Sequence, residues 1–232
     1  MPRVVLVPGF SQTATSWRDV QRLLAPTCDV VAIEIPQAET FAATAAAIGA
    51  RGGRGVYVGY SMGGRLCLRL ALDRPDLVRA LVLVSASPGI SEAGARAERI
   101  ASDEELAAMI ERDGVDAFLD RWLAQPLFAG VPSDAPGLRD RRTLSAASLT
   151  HALRTLGTGT MEPLWDRLGE LSMPIALVTG TDDPKFDDVA RLMMLQLPGA
   201  ARHVRLDGGH ALPLEKPEAL GDFVAAFAAE HG

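Results

Sequence analysis

Val56-Tyr57-Val58-Gly59-Tyr60-Ser61-Met62-Gly63-Gly64-Arg65 is the stretch that decides the fold. A β-branched, apolar run enters Gly-x-Ser-x-Gly and passes straight into Leu66-Cys67-Leu68-Arg69-Leu70-Ala71-Leu72. That pattern predicts strand, sharp turn and helix, with Ser61 at the turn. Gly59 and Gly63 stand two residues either side of it, where so tight a turn leaves no volume for a Cβ and holds the serine in strained backbone. The hydroxyl is thereby pushed beyond the sheet edge, within reach of a base. The plain alternative is a βα turn whose serine merely caps the following helix.

Outward from this turn the chain alternates strand and helix. Toward the N-terminus, Val4-Val5-Leu6-Val7 is a buried-strand pattern that ends in Pro8-Gly9-Phe10, and Trp17, Val20 and Leu24 follow at helical spacing. Residues 29–35 form a second strand closed by Pro36, and an alanine-rich helix over 41–50 ends in Arg51-Gly52-Gly53. Toward the C-terminus, Asp73-Arg74-Pro75 stops the Ser61 helix, and residues 78–85 are near-continuously apolar, as a central parallel strand should be. The fold class is therefore α/β, a parallel doubly wound sheet with helices on both faces.

After Ser87-Pro88-Gly89 the pattern becomes helical, with no convincing strand until residue 174. Ser102-Asp103-Glu104-Glu105 reads as a capping box ahead of Leu106, Met109 and Ile110. Residues 115–123 form a second amphipathic segment, and residues 144–156 a third that stops at Gly157-Thr158-Gly159-Thr160. Strand 174–180, helix 187–197, strand 202–206 and a helix opened by Pro217 complete the pattern. The expected organisation is an α/β core in two parts, 1–87 and 161–232, with a helical cap, 88–160, inserted between them.

Composition narrows the function. A net charge of −6 with no lysine and arginine stripe argues against nucleic acid and favours a small-molecule substrate. Met1 leads within two residues into the first strand, and no apolar run reaches bilayer length, so the expectation is a cytoplasmic protein without a membrane partner. Oligomeric state is left as monomer or homodimer. The two cysteines, Cys28 and Cys67, read as small buried hydrophobes with no metal-like spacing, and neither a metal nor a cofactor is expected.

A serine hydroxyl needs an imidazole to accept its proton, and the imidazole needs a carboxylate to fix its tautomer. Of the four histidines, His210 lies in Asp207-Gly208-Gly209-His210-Ala211, just after the last strand, where ligand-facing loops of a parallel sheet gather. His151 falls in the cap, His203 within a strand and His231 in the tail, which makes His210 the natural base. Gly180-Thr181-Asp182-Asp183 follows the preceding strand and supplies the acid, Asp183 being preferred to Asp182. The competing view of Asp-Asp-Pro is a solvent-facing turn. The chain order Ser61, Asp183, His210, drawn from three different strand ends, is what weighs against it.

This layout resembles the α/β-hydrolase fold over essentially the whole chain, with the family's first two antiparallel strands missing and the cap inserted after the fourth strand. The resemblance implies Ser61 as nucleophile, Asp183 as acid, His210 as base, and the backbone amides of Phe10 and Met62 as oxyanion donors. Pro8-Gly9-Phe10 departs from the family's usual His-Gly-Phe. A narrower likeness rests on five stretches: 59–65, Ser87-Pro88-Gly89-Ile90 with Arg96 and Arg99, 121–128, Gly157-Thr158-Gly159, and Asp183-Pro184-Lys185-Phe186. Together they are similar to the succinyl-hydroxycyclohexadiene carboxylate synthases of menaquinone biosynthesis, which use the triad to abstract a proton and eliminate pyruvate from a polycarboxylate.

By that likeness Tyr60, Arg65, Arg99, Trp122, Arg141 and Lys185 line the pocket, and guanidinium forks suit a substrate carrying several carboxylates. The plainer view makes Arg65 and Arg69 a solvated helix face, Arg69 pairing with Asp73, and Trp122 part of the cap core. Two chemistries share the same residues: a carbon–oxygen lyase acting on an anionic metabolite, and a carboxylesterase or C–C-bond hydrolase working through an acyl-enzyme on Ser61. A binding protein that keeps the triad without using it is the reading outside enzymology.

Overall fold

The structure, a computed structural model, describes residues 1–199 and 201–232. Its centre is a six-stranded sheet of β1 (Arg3–Val7), β2 (Asp29–Ala32), β3 (Gly55–Tyr60), β4 (Val78–Val84), β5 (Ile175–Gly180) and β6 (Ala201–Leu206), in the order β2-β1-β3-β4-β5-β6. All five pairings are parallel. No antiparallel pair occurs among the described residues, in keeping with a sequence that lacks the family's first two antiparallel strands.

The two-residue period of a strand sorts the sheet residues between two cores. Val5, Val7, Tyr57, Leu81, Leu83, Ile175 and Leu177 point to one face. There they meet α2 (Phe41–Gly52), α3 (Met62–Asp73) and α6 (Pro184–Met194) through residues such as Ile48, Leu66, Leu70 and Met193. Val4, Leu6, Val56, Val58, Val82, Val84 and Val178 point to the other face. Here they pack on α1 (Arg18–Leu24) and, beyond the short α7 (Leu212–Glu215), on α8 (Pro217–His231), through Val20, Leu24, Leu220, Val224 and Phe227. Burial on both faces is why the strands read as unbroken apolar runs. At roughly 1.5–3 kcal/mol for each fully buried Val or Leu side chain, the two cores supply the drive that holds the sheet edge carrying Ser61.

Between β4 and β5 the chain forms α4 (Ala93–Leu123) and α5 (Ala146–Leu156), joined by short 3₁₀ turns. A third core of Ala107, Met109, Ile110, Phe118, Leu119, Leu149 and Leu153 binds them to each other, and Phe10 and Trp122 pack against it. Arg154 of α5 straddles Glu104 and Glu111 of α4 at 2.6 Å each, outside that core.

One expectation fails here: Ser102 does not begin a helix. Residues 93–123 run as a single helical element that breaks only at Gly114, where φ is +85°, and its cap is Glu92, whose carboxylate accepts from the amides of Gly94 and Ala95. Asp103 lies inside the helix, buried, because its carboxylate pairs at i,i+4 with Arg99 rather than with a chain end. The helix expected over 187–197 begins instead at Pro184, since proline at the first helical position lacks only an amide that would have gone unpaired there. No helix among the described residues is long and apolar enough to cross a membrane.

Candidate active site

Ser61 occupies the residue before α3, where serine ordinarily caps a helix, yet its side chain makes no cap hydrogen bond. Its backbone sits at φ +52°, ψ −110°, a conformation that costs on the order of 1–3 kcal/mol in a non-glycine residue. Helix capping is therefore not its role. The glycines around it are dictated by space: a Cβ on Gly59 would stand 2.5 Å from the Gly63 carbonyl oxygen, and one on Gly63 would overlap the carbonyls of Val7 and Pro8. Those obstacles are backbone of α3, of β1 and of the loop after β1, which cannot swing aside.

A Gly63→Ala substitution is accordingly expected to cost about 3 kcal/mol, the upper range for overpacking. For a chain of this size that is a fall of roughly 6–12 °C in Tm, readable by calorimetry. A loss below about 2 °C would mean that the β1 loop yields and that the glycine is not sterically required.

Asp183 likewise stands at a helix start and forgoes its cap bond, a sacrifice worth about 1 kcal/mol. Its carboxylate turns inward and accepts a hydrogen bond from His210 Nδ1 at 2.7 Å, with both side chains buried. The His210 ring is held between Phe186, at 4.6 Å between centroids, and Tyr60, at 5.4 Å. Its loop fits against β5: a Cβ on Gly180 would strike the carbonyls of Gly208 and Gly209. Of the competing candidates, Asp182 is exposed, and His203 pairs its Nε2 with Thr179 at 2.8 Å and does not line the cavity that holds Ser61.

A partly enclosed cavity of about 150 Å³ collects these groups. Ser61 and His210 line it together with Phe10, Met62, Tyr60, Arg65, Arg99, Trp122 and Lys185. Ser61 Oγ makes no hydrogen bond to His210 among the described residues. The three candidate residues are thus joined unevenly: His210 and Asp183 are hydrogen-bonded to each other, Ser61 and His210 are not.

Arg65 is buried, not a solvated face. It donates from Nη1 to the Leu156 carbonyl at 2.8 Å and touches Met161 Sδ at 3.3 Å, tying the Ser61 helix to the end of α5. Burial, and after it repulsion from Arg99, pulls its pKa down to about 9, against the pull of Asp103. Asp103 is itself raised by burial, an effect that Arg99 partly offsets by charge and by a 2.9 Å hydrogen bond. Arg69, one turn on, does pair with Asp73 at 2.5 Å as the plainer view has it. Trp122 serves both expectations, stacking on Phe118 in the helical core and lining the cavity.

Arg141 is placed differently from the other five residues suggested for binding. It is fully buried but does not line this cavity, and its Nη1 reaches Ser11 Oγ at 3.5 Å. Burial lowers its pKa to about 10, with Tyr60 opposing the fall. Sequence reasoning missed Gln12, which lines the cavity and accepts from the Gly9 amide at 3.0 Å, and the apolar wall of Leu127, Phe128 and Leu153. Leu127 and Phe128 fall within the 121–128 stretch that carries the family likeness, whereas nothing in a single sequence marks Gln12 or Leu153. No His, Cys, Asp and Glu grouping suited to a metal occurs among the described residues.

A parallel sheet with a strained serine between β3 and α3, and a buried acid–histidine pair from the ends of β5 and β6, defines one class of protein. Residues 4–223 match the alpha/beta hydrolase family, and the chain belongs to it. Within that family it is 36% identical over 175 residues to a Bacillus subtilis (strain 168) protein assigned provisionally as a 2-succinyl-6-hydroxy-2,4-cyclohexadiene-1-carboxylate synthase; the match covers 73% of this chain and 64% of that one. It is 30% identical over 166 residues to the Serratia proteamaculans (strain 568) synthase of the same name, covering 70% and 63%. The matched region thus spans slightly less than two thirds of either relative. Among solved structures, MenH from S. aureus shares 25% identity and superimposes with a TM-score of 0.89 over 98% of this chain and 93% of that one. A malate-bound thermophilic esterase from Thermogutta terrifontis, at 20% identity, superimposes with a TM-score of 0.79 over 99% and 90%.

Proposed function

We propose that this protein is a 2-succinyl-6-hydroxy-2,4-cyclohexadiene-1-carboxylate synthase, a lyase that eliminates pyruvate from a polycarboxylate. The observation that carries the proposal is the company Ser61 keeps: the cavity holding it and His210 is lined by three cations, Arg65, Arg99 and Lys185. An esterase for neutral esters has no use for that charge. A substrate with several carboxylates needs it, and guanidinium forks bind carboxylates with directional, charge-assisted hydrogen bonds. The sequence likeness to named synthases supports the same choice.

In the proposed reaction His210, its tautomer fixed by Asp183, draws the proton from Ser61 Oγ, and the serine oxygen removes the proton α to a carbonyl. The electron pair of the broken C–H bond forms the new C=C bond, and the C–O bond to the pyruvyl group breaks. That group leaves as the enolate of pyruvate and takes up a proton from His210. In this reading the amides of Phe10 and Met62 stabilise the enolate oxygen that forms during proton removal; the Met62 amide is the first of α3 and so has no partner within the helix. The open serine–histidine contact closes when substrate arrives, as such contacts commonly do. The protein acts on this small anion as a cytoplasmic enzyme with no cofactor, its helical segment 88–160 serving as the cap over the site.

The test is release of pyruvate, followed with a coupled lactate dehydrogenase, from the precursor that carries the pyruvyl group. Stoichiometric pyruvate without a burst of p-nitrophenol from a short-chain ester supports elimination. A p-nitrophenol burst with no pyruvate assigns acyl-enzyme hydrolysis instead. The charge of Arg65 adds a pH signature. Burial and repulsion from Arg99 bring its pKa down to about 9, so its charge is complete near neutrality and weakens in alkali. KM for the polycarboxylate is therefore expected to be flat near neutrality and to climb toward tenfold per pH unit above that point. A KM flat beyond pH 10 would show that the guanidinium keeps its proton there.

A further inference from the structure

Glu215 grips the backbone on both sides of His210. One carboxylate oxygen accepts from the Gly209 amide at 2.7 Å and the other from the Ala211 amide at 2.8 Å. The amide of Glu215 in turn bonds to the Ala211 carbonyl at 3.0 Å, closing a small ring. No cation pairs with this carboxylate among the described residues; Lys216, next in the chain, pairs with Asp207. Its charge is thus spent on two backbone donors, which is the short, strong form of hydrogen bond. The fit is close, since a Cβ on Gly209 would stand 2.9 Å from Glu215 Oε2.

We infer that Glu215 is a positioning residue that sets where His210 enters the cavity. The inference rests on the triad chemistry proposed above. Asp183 fixes the tautomer and tilt of the imidazole through Nδ1, but a ring on an unrestrained loop could follow the aspartate away from Ser61. Pinning the amides immediately before and after the histidine removes that freedom from the main chain. The remaining nitrogen, Nε2, is then held at a fixed distance from the serine, and displacements of 1 Å at such a contact can cost two orders of magnitude in rate. Asp183 and Glu215 therefore divide the work: one orients the ring and the other anchors its backbone.

Two variants test this. Glu215→Gln keeps one acceptor but turns an NH₂ toward the second amide. Gly209→Ala leaves the carboxylate intact and forces it off the loop. Asp207→Asn, which loosens the same loop through Lys216 without touching either amide, is the control. Three measurements are made on each: Tm, the rate at which a fluorophosphonate labels Ser61, and the downfield proton resonance of the His210 Nδ1–H···Asp183 bond.

Both test variants are expected to label roughly 10–100-fold more slowly than wild type and to show a broadened or lost downfield signal, while Asp207→Asn does neither. Labelling within twofold of wild type in Glu215→Gln and Gly209→Ala, with the signal intact, overturns the inference. So does slow labelling that simply follows Tm across all three variants, because that is loop stability and not placement. If wild type fails to label, the triad chemistry is wrong. The resonance then still decides the anchoring by itself, its persistence in both variants counting against Glu215.

Discussion

Ser61→Ala is expected to lower kcat for pyruvate release by at least about four orders of magnitude while leaving the protein folded and still able to bind substrate. The structural grounds for retained folding are specific. Ser61 Oγ makes no cap bond that alanine would forfeit, and the turn around it is set by Gly59, Gly63 and Gly64. The cations that would hold carboxylates, Arg65 and Arg99, are positioned by Leu156 and Asp103, not by the serine. Affinity measured by calorimetry should then stay within a few-fold of wild-type KM, and the loss should fall on kcat. The combined Ser61→Ala, His210→Ala variant should be no slower than Ser61→Ala alone, because residues that act as one unit are not additive. Activity within tenfold of wild type in the single variant would show that His210 takes the substrate proton directly. The serine would then be a bystander.

Much of this was legible in the sequence because the chemistry forces local rules to be broken visibly. A serine between two glycines at a strand end, and an acid before a proline at another, are cap-like residues whose caps go unused in the structure. The unbroken apolar runs fixed strand identity, since parallel strands buried on both faces leave little room for polar residues.

The helical segment was less legible for a physical reason. Ser102-Asp103-Glu104-Glu105 has the composition of a helix start, yet Asp103 is drawn into the interior by Arg99, and tertiary pairing overrides the local signal. Gly114, which does interrupt the helix, falls where the sequence begins a second segment at residue 115, although a Cβ there would meet nothing within 4 Å. The Glu215 clamp was invisible because its partners are backbone amides, which leave no trace in side-chain identity. Arg141 shows the opposite limit. Family likeness can nominate a residue for the pocket, but only packing decides which cavity it faces, and this one is buried beside Ser11.

Asp183→Asn is expected to lower kcat by about 10⁴-fold with little change in KM. The carboxylate accepts from His210 Nδ1 at 2.7 Å, so the imidazole carries its proton there and leaves Nε2 free to accept from Ser61. An asparagine amide can occupy the same space but can place its NH₂ toward Nδ1. The imidazole then accepts at Nδ1 and carries its proton on Nε2, the tautomer that cannot take a proton from the serine. The imidazolium formed during the reaction also loses its counter-charge inside a buried site, where that charge matters most. Asp182→Asn is the matched comparison: Asp182 is exposed, and it enters the His210 loop through its main chain, its amide bonding to the Gly208 carbonyl at 2.9 Å. That variant should stay within about twofold of wild type, in line with the small effects of exposed substitutions. If the two variants lost activity equally, the acid would not be identified by its contact with His210. If Asp183→Asn kept its rate, the buried pair would be a structural strut between the ends of β5 and β6, and the serine would have to be activated by another route.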